Sequence, residues 1–245
     1  MKWIIRTALV LALLTSANAQ EVEPKADNIL KEMSSYLGKL EQFSFHVDAE
    51  YDDERSGRWV EFASSSDIYV RRPDGVRSIR RGDKGDAQAF FDGQDLVIYS
   101  PKEGFYSKDS IPGDIPTMLD FANNELNLTL PVADFLFPDS YEVLTADLKN
   151  GFYVGRHAIE GIPCHHLSFV QNSGIEWQIW VEDGEAPRPR KIVIRHANEP
   201  GVPRYDAVFS NWDTTTPIAR DSFTFIPPAD AYEIQHHAEL EVENK

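Results

Sequence analysis

One cysteine, Cys164, stands among 245 residues. No internal disulfide can form, so the fold must rest on its apolar core. His-x-His and Cys-x-x-Cys spacings are missing, which removes the ready-made zinc and redox motifs. Positive charge is scarce: Lys and Arg number 24 against 40 Asp and Glu, for a net charge of −16. Such a surface repels phosphate backbones and anionic membranes, so nucleic acid is excluded as a partner. Beyond residue 14 there is no long apolar run, and a bilayer span needs about 20 residues. Internal repeats and inter-domain linkers are also absent.

The start of the chain reads as an export signal. Lys2 and Arg6 form a short basic region, Ala8 to Leu14 an apolar one, and Ala17-Asn18-Ala19 a small-x-small cleavage site before Gln20. Position 20 is Gln rather than Cys, so a lipid-attachment site is not expected. Cleavage removes two cations and no acid, which takes the net charge from −16 to −18. The expected division is a signal peptide at 1–19, one domain at 20–235 and a frayed tail at 236–245. The mature chain is expected in the periplasm, as a monomer without stable membrane insertion.

What is there is mostly strand. Ala26, Ile29, Leu30, Met33, Leu37 and Leu40 recur at helical spacing and predict an amphipathic helix. The period then drops to two, with Phe43, Phe45, Val47, Ala49 and Tyr51 alternating with polar residues. Short strands are predicted near 59–63, 68–71, 76–81, 87–91, 96–99, 152–159, 164–170, 175–181, 190–196 and 205–212. Turns such as Pro73-Asp74-Gly75, Asp92-Gly93 and Asn172-Ser173-Gly174 separate them. Residues 111–137 break the pattern with an apolar helical insert. Asp114 caps its first helix, while Thr129 and Pro131 open a second that Pro138 stops. Phe223 and Phe225 end the ordered part, and Pro227-Pro228 closes it.

Eleven or twelve strands joined by tight turns predict a mainly β (α+β) protein, a curled antiparallel sheet forming an open, incomplete barrel. A barrel that wide cannot be filled by its own side chains. The N-terminal helix and the insert must plug it or cover a cavity. This arrangement resembles the LolA-type carriers of lipoproteins and lipids. Val70-Arg71-Arg72-Pro73-Asp74, Phe91-Asp92-Gly93-Gln94-Asp95-Leu96, Cys164-His165-His166-Leu167, Trp177-Gln178-Ile179-Trp180, Pro189-Arg190-Lys191-Ile192 and Phe225-Ile226-Pro227-Pro228 resemble an uncharacterised family of predicted periplasmic proteins in that superfamily. The resemblance implies a helical lid over an inner face that holds an acyl chain or similar apolar ligand. It assigns no residue roles.

The chemical candidates are weaker. His157, His165, His166 and His196 would make a zinc site only if they converged, and adjacent His165 and His166 point to opposite faces of a strand. Cys164 beside His165 lacks a base on its own face, so a core thiol is expected. Asp48, Glu50, Asp52, Asp53 and Glu54 read as the wet rim of a strand. No catalytic residue, metal or cofactor is expected, and the chain is not read as an enzyme. The lid and cavity carry the functional reading. Met118, Leu119, Phe121, Leu126, Leu128, Phe135 and Phe137 are expected in one wall, with Phe45, Val47, Phe90, Ile98, Ile179 and Ile194 opposite. The expected partner is a lipid or the acyl chains of a lipoprotein. The alternative is an envelope-stress sensor or scaffold that uses the cavity to recognise a lipid or a protein.

Overall fold

The computed structural model describes residues 22–126, 128 and 132–235. The signal, its cleavage site, Thr129, Pro131 and the 236–245 tail lie outside the described residues. Helix α1 (Pro24–Gly38) starts on a proline, whose missing N–H costs nothing in a first turn. It buries Ala26, Ile29, Leu30, Met33, Ser34 and Leu37, the face set by the helical period. Val22 and Glu23, ahead of it, are tied to Gly151 by a bridge and by the Glu23 amide donating to the Gly151 carbonyl at 2.8 Å.

Two antiparallel meanders follow. The first comprises β1 (Gln42–Arg55), β2 (Arg58–Arg71), β3 (Gly75–Gly82), β4 (Ala87–Phe91), β5 (Asp95–Ser100) and β6 (Phe105–Ser110). The second comprises β7 (Leu148–Ile159), β8 (Ile162–Gln171), β9 (Ile175–Glu182), β10 (Pro189–His196) and β11 (Arg204–Asp213). Strand β1 pairs with β11, which joins the two, with a short edge strand β12 (Tyr232–Ile234), into one open sheet ordered β12-β6-β5-β4-β3-β2-β1-β11-β10-β9-β8-β7. The curled, mainly β architecture with an N-terminal helix and a helical cover is the one the sequence predicts.

Four details differ. Residues 58–71 form one continuous strand rather than two, because the Ser64-Ser65-Ser66-Asp67 run stays in register with both β1 and β3. The insert between the meanders holds α2 (Ile115–Asn124), then a single 3-10 turn at Ala133–Leu136 in place of a second α-helix. A further helix, α3 (Ser140–Thr145), lies past Pro138, where Asp139 caps the Glu142 amide. Order also continues beyond Pro227-Pro228. Strand β12 (Tyr232–Ile234) pairs with β6 in parallel. No helix among them is long and apolar enough to cross a membrane.

The inner face is filled on one side and hollow on the other. From β1 toward β7, Phe43, Phe45, Phe209, Phe169, Trp177, Ile179 and Leu167 are buried under α1 and Phe135. Ser34 fastens α1 to α3 by accepting from the Ser140 hydroxyl at 2.9 Å and the Tyr141 amide at 2.7 Å. From β1 toward β5 a run of small inner residues leaves a space between the sheet and its cover.

Candidate functional site

The hollow is a cavity of about 710 Å³ between β1–β5 and the insert. Its floor is made by register. Ala49 lies opposite Ser64, Val47 opposite Ser66, Ser66 opposite Arg80, and Ser78 opposite both Ile68 and Ala89. Small side chains therefore sit side by side over four strands, where packed interiors place large ones. Ile68, Val76, Phe91 and Leu96 close the deep end. Met118, Leu119 and Ala122 of α2, with Leu128, Val132, Ala133 and Leu136, form the roof. The mouth is mixed: Tyr51, Trp59, Pro203 and Tyr205 alternate with Asp52, Asp53, Lys84, His196, Glu199 and Arg204.

The roof is held at identifiable points. Arg72 Nη1 donates to the Leu136 carbonyl at 2.5 Å and Nη2 to the Phe137 carbonyl at 3.4 Å, while the Ile115 amide donates to the Pro73 carbonyl at 2.9 Å. Burial lowers the Arg72 pKa from its ordinary value. In the roof itself, burial raises the Asp134 carboxyl to about 6. Asp134 has no hydrogen bond or ion pair among the described residues.

The expected wall is partly assembled. Val47, Ile98, Met118, Leu119 and Leu128 border the cavity. Phe90 borders it through its strand only. Its ring lies on the outer face, 5.3 Å from the Phe225 ring and beneath Arg77. Phe45, Phe135, Ile179 and Ile194 pack into the filled half instead: Phe45 stacks 4.5 Å from Trp212, and Phe135 meets Phe209 edge-on at 5.5 Å. Phe121, Leu126 and Phe137 are half-buried against the same core and do not line the cavity. The periodicity missed Ser64, Ser66, Ser78 and Arg80. A polar residue in a strand reads as water-facing, and only a hollow inner face reverses that.

The histidines do not converge. His165 contacts the Tyr153 hydroxyl and Asp183, His166 stacks 4.0 Å over Trp180 on the outer face, and His196 pairs with Glu199 at the mouth. His157 is exposed, and no three metal-binding side chains group among the described residues. Cys164 is fully buried beside Trp180 and Val193, its thiol donating to the Ile162 carbonyl at 3.3 Å; burial raises its pKa. The acid run is less passive than a wet rim. Asp52 accepts the Arg204 amide at 2.9 Å and Asp53 pairs with Lys84, both at the cavity mouth.

One constellation is invisible in the sequence because it spans two strands. On the outer face the Ser65 hydroxyl lies 3.1 Å from His46 Nε2, and His46 Nδ1 lies 2.6 Å from Asp67. The spacing is that of a nucleophile, a base and its orienting carboxylate. The remaining parts of a catalytic site are missing. Ser65 sits mid-strand with neighbours on both sides, so its surrounding amides are spent in the ladder and cannot form an oxyanion hole. Nε2 is shared with Asp48 at 3.3 Å. Burial alone would lower the His46 pKa, but the Asp67 hydrogen bond and the charges of Asp48 and Asp67 carry it above the usual histidine value.

No curated protein matches this chain. Among solved structures, LprF from Mycobacterium bovis is 15% identical, aligned over 86% of this chain and 100% of that one with a TM-score of 0.50. The Mycobacterium tuberculosis lipoprotein LppX is 12% identical over 81% of this chain and 100% of that one, also at 0.50. A LolA superfamily protein from Nitrosomonas europaea aligns more loosely, 10% identical over 82% and 97%, with a TM-score of 0.39. At these identities the first two likenesses bear on the fold alone. The profile of a family described as predicted periplasmic protein (DUF2092) matches residues 26–236, nearly the whole described chain. The chain therefore belongs to this family of predicted periplasmic proteins, and the periplasm is its compartment.

Proposed function

We propose that the protein binds and carries a hydrophobic ligand, the acyl chain of a lipid or lipoprotein, in the cavity beneath the insert. One observation carries this reading: a largely apolar space of about 710 Å³ with a floor of Ala and Ser, roofed by the apolar insert. The volume falls within the usual range for small-ligand sites, about 300–1,000 Å³. Burial of methylenes supplies the driving force at about 0.8 kcal/mol each. Ten of them give about 8 kcal/mol before the cost of ordering the chain. No bond is made or broken, so the protein works as a binder rather than an enzyme. The α2 segment shifts to admit the ligand, and its apolar face covers the chain afterwards.

Mass spectrometry of an organic extract from protein purified out of its native envelope tests this. Stoichiometric acyl lipid is the expected result. A fatty-acid series should also raise the melting temperature with chain length, since the ligand binds only the folded state. An empty extract together with no thermal shift for any apolar ligand would sink the proposal and leave the insert as a plug.

A further inference from the structure

The polar lining of the cavity is unevenly neutralised. At the mouth, Lys84 pairs with Asp53 and lies 4.9 Å over the rings of Tyr51 and Phe62. Arg204 pairs with Asp206, Asp52 is held by the Arg204 amide, and Glu199 by His196 at 2.9 Å. Arg80 differs. Among the described residues its guanidinium makes one polar contact, Nη2 donating to the Gly85 carbonyl at 3.3 Å, and no carboxylate lies within ion-pair distance. An arginine bordering a largely apolar space without a counter-charge leaves most of its five donors open. Its cross-strand neighbours are Ser66 on one side and Ala87 on the other, both too small to cover it. Ser78, two residues back on the same face, and Ser64, two residues along β2 from Ser66, also border the cavity.

From this arrangement we infer that the ligand is an anionic amphiphile, with its carboxylate or phosphate head on Arg80, Ser66 and Ser78. The tail runs from there toward Phe91, Leu96, Met118 and Leu119. The inference rests on the acyl-binding reading and adds the head group to it. Arg80 supplies a forked pair of donors that suits either oxyanion, and the serine hydroxyls supply two more. A neutral alkyl chain offers the guanidinium no counter-charge, so charge selects the ligand as well as apolarity.

The test uses the delipidated full chain and four probes in displacement titrations: palmitate, hexadecyl phosphate, hexadecanol and inorganic phosphate. Wild-type protein should bind the two anionic amphiphiles at least about tenfold more tightly than hexadecanol, the factor expected for one charge-assisted hydrogen-bonded contact. Arg80→Gln should abolish that preference and leave hexadecanol binding unchanged, Arg80→Lys should keep part of it, and Arg81→Gln on the outer face should keep all of it. The tighter of palmitate and hexadecyl phosphate names the head. Binding of palmitate and hexadecyl phosphate no tighter than hexadecanol by the wild type overturns the head-group site and leaves the acyl cavity standing, as does an equal loss of all three in Arg80→Gln. Binding of no alkyl probe overturns both readings, and inorganic phosphate bound alone reduces Arg80 to a free-anion site.

Discussion

Asp134 shows how far a single side chain can control the roof. Its carboxyl, raised to about 6 by burial, is above its unfolded value of 3.8. A group with a raised folded pKa contributes its stability below the unfolded value and loses it as pH rises through the folded one. The insert is therefore expected to hold most firmly below about pH 4 and to loosen between pH 4 and 7, by on the order of 2–3 kcal/mol. Hydrogen exchange of residues 132–136 measured across that range should show the trend, and Asp134→Asn should flatten it. Cys164 makes the opposite point. Its thiol only packs and donates one bond, so Cys164→Ser should cost about 1–2 kcal/mol in denaturant unfolding. Ligand affinity should stay unchanged. Loss of binding in a folded Cys164→Ser protein would restore the thiol as a functional group. At this scale strand alternation reads Val47 as wall, and the apolar composition of the insert does the same for Met118, Leu119 and Leu128. Neither can read Ser66 or Arg80, whose inward direction is set by register with β1 and β4.

The elements explain why the cavity exists where it does. Strand β2 carries Ser64 and Ser66 on the inner face, β3 carries Ser78, and β4 carries Ala87 and Ala89, so three consecutive strands withhold bulk at one level of the sheet. Placing one large side chain there should fill the space at little cost, since no existing contact is displaced. Ala89→Phe is accordingly expected to leave the melting temperature of the free protein within a few degrees and to abolish any fatty-acid-induced rise. An unchanged rise would place the ligand elsewhere. The insert makes a second element-level prediction. Arg72 donates to two successive roof carbonyls, and charge-assisted bonds of this kind are worth about 1.5–3 kcal/mol. Arg72→Leu should speed hydrogen exchange in 115–136 by about tenfold or more and shorten ligand residence, with β8–β10 unaffected. The helix–strand sequence up to β5 is legible, apart from the unbroken run of β2, because period and turn chemistry agree. Strand β12 and helix α3 are hidden, being only three and six residues long.

At the scale of the molecule the deciding feature is the β1–β11 seam. Each meander is built from hairpins between chain neighbours, which periodicity and turns reveal. The seam pairs Val47 with Phe209 and Tyr51 with Tyr205, across more of the chain than any local signal spans. It also joins the two functions of the inner face, the filled half under α1 and the hollow half under α2. Phe209 sits on it, wholly buried, with its ring centre 5.9 Å from Phe45, 5.5 Å from Phe135 in the insert and 6.5 Å from Trp212. Removing that ring takes contacts from both meanders and from the insert together. Phe209→Ala is expected to cost about 3–5 kcal/mol. If the seam makes the sheet one cooperative unit, hydrogen exchange should show β2–β5 and β8–β10 destabilised equally, although β4, β5 and β8 do not touch the seam. Destabilisation confined to β10, β11 and β1 would mean that the meanders unfold separately. The roof would then be hinged between two independent halves rather than mounted on one sheet.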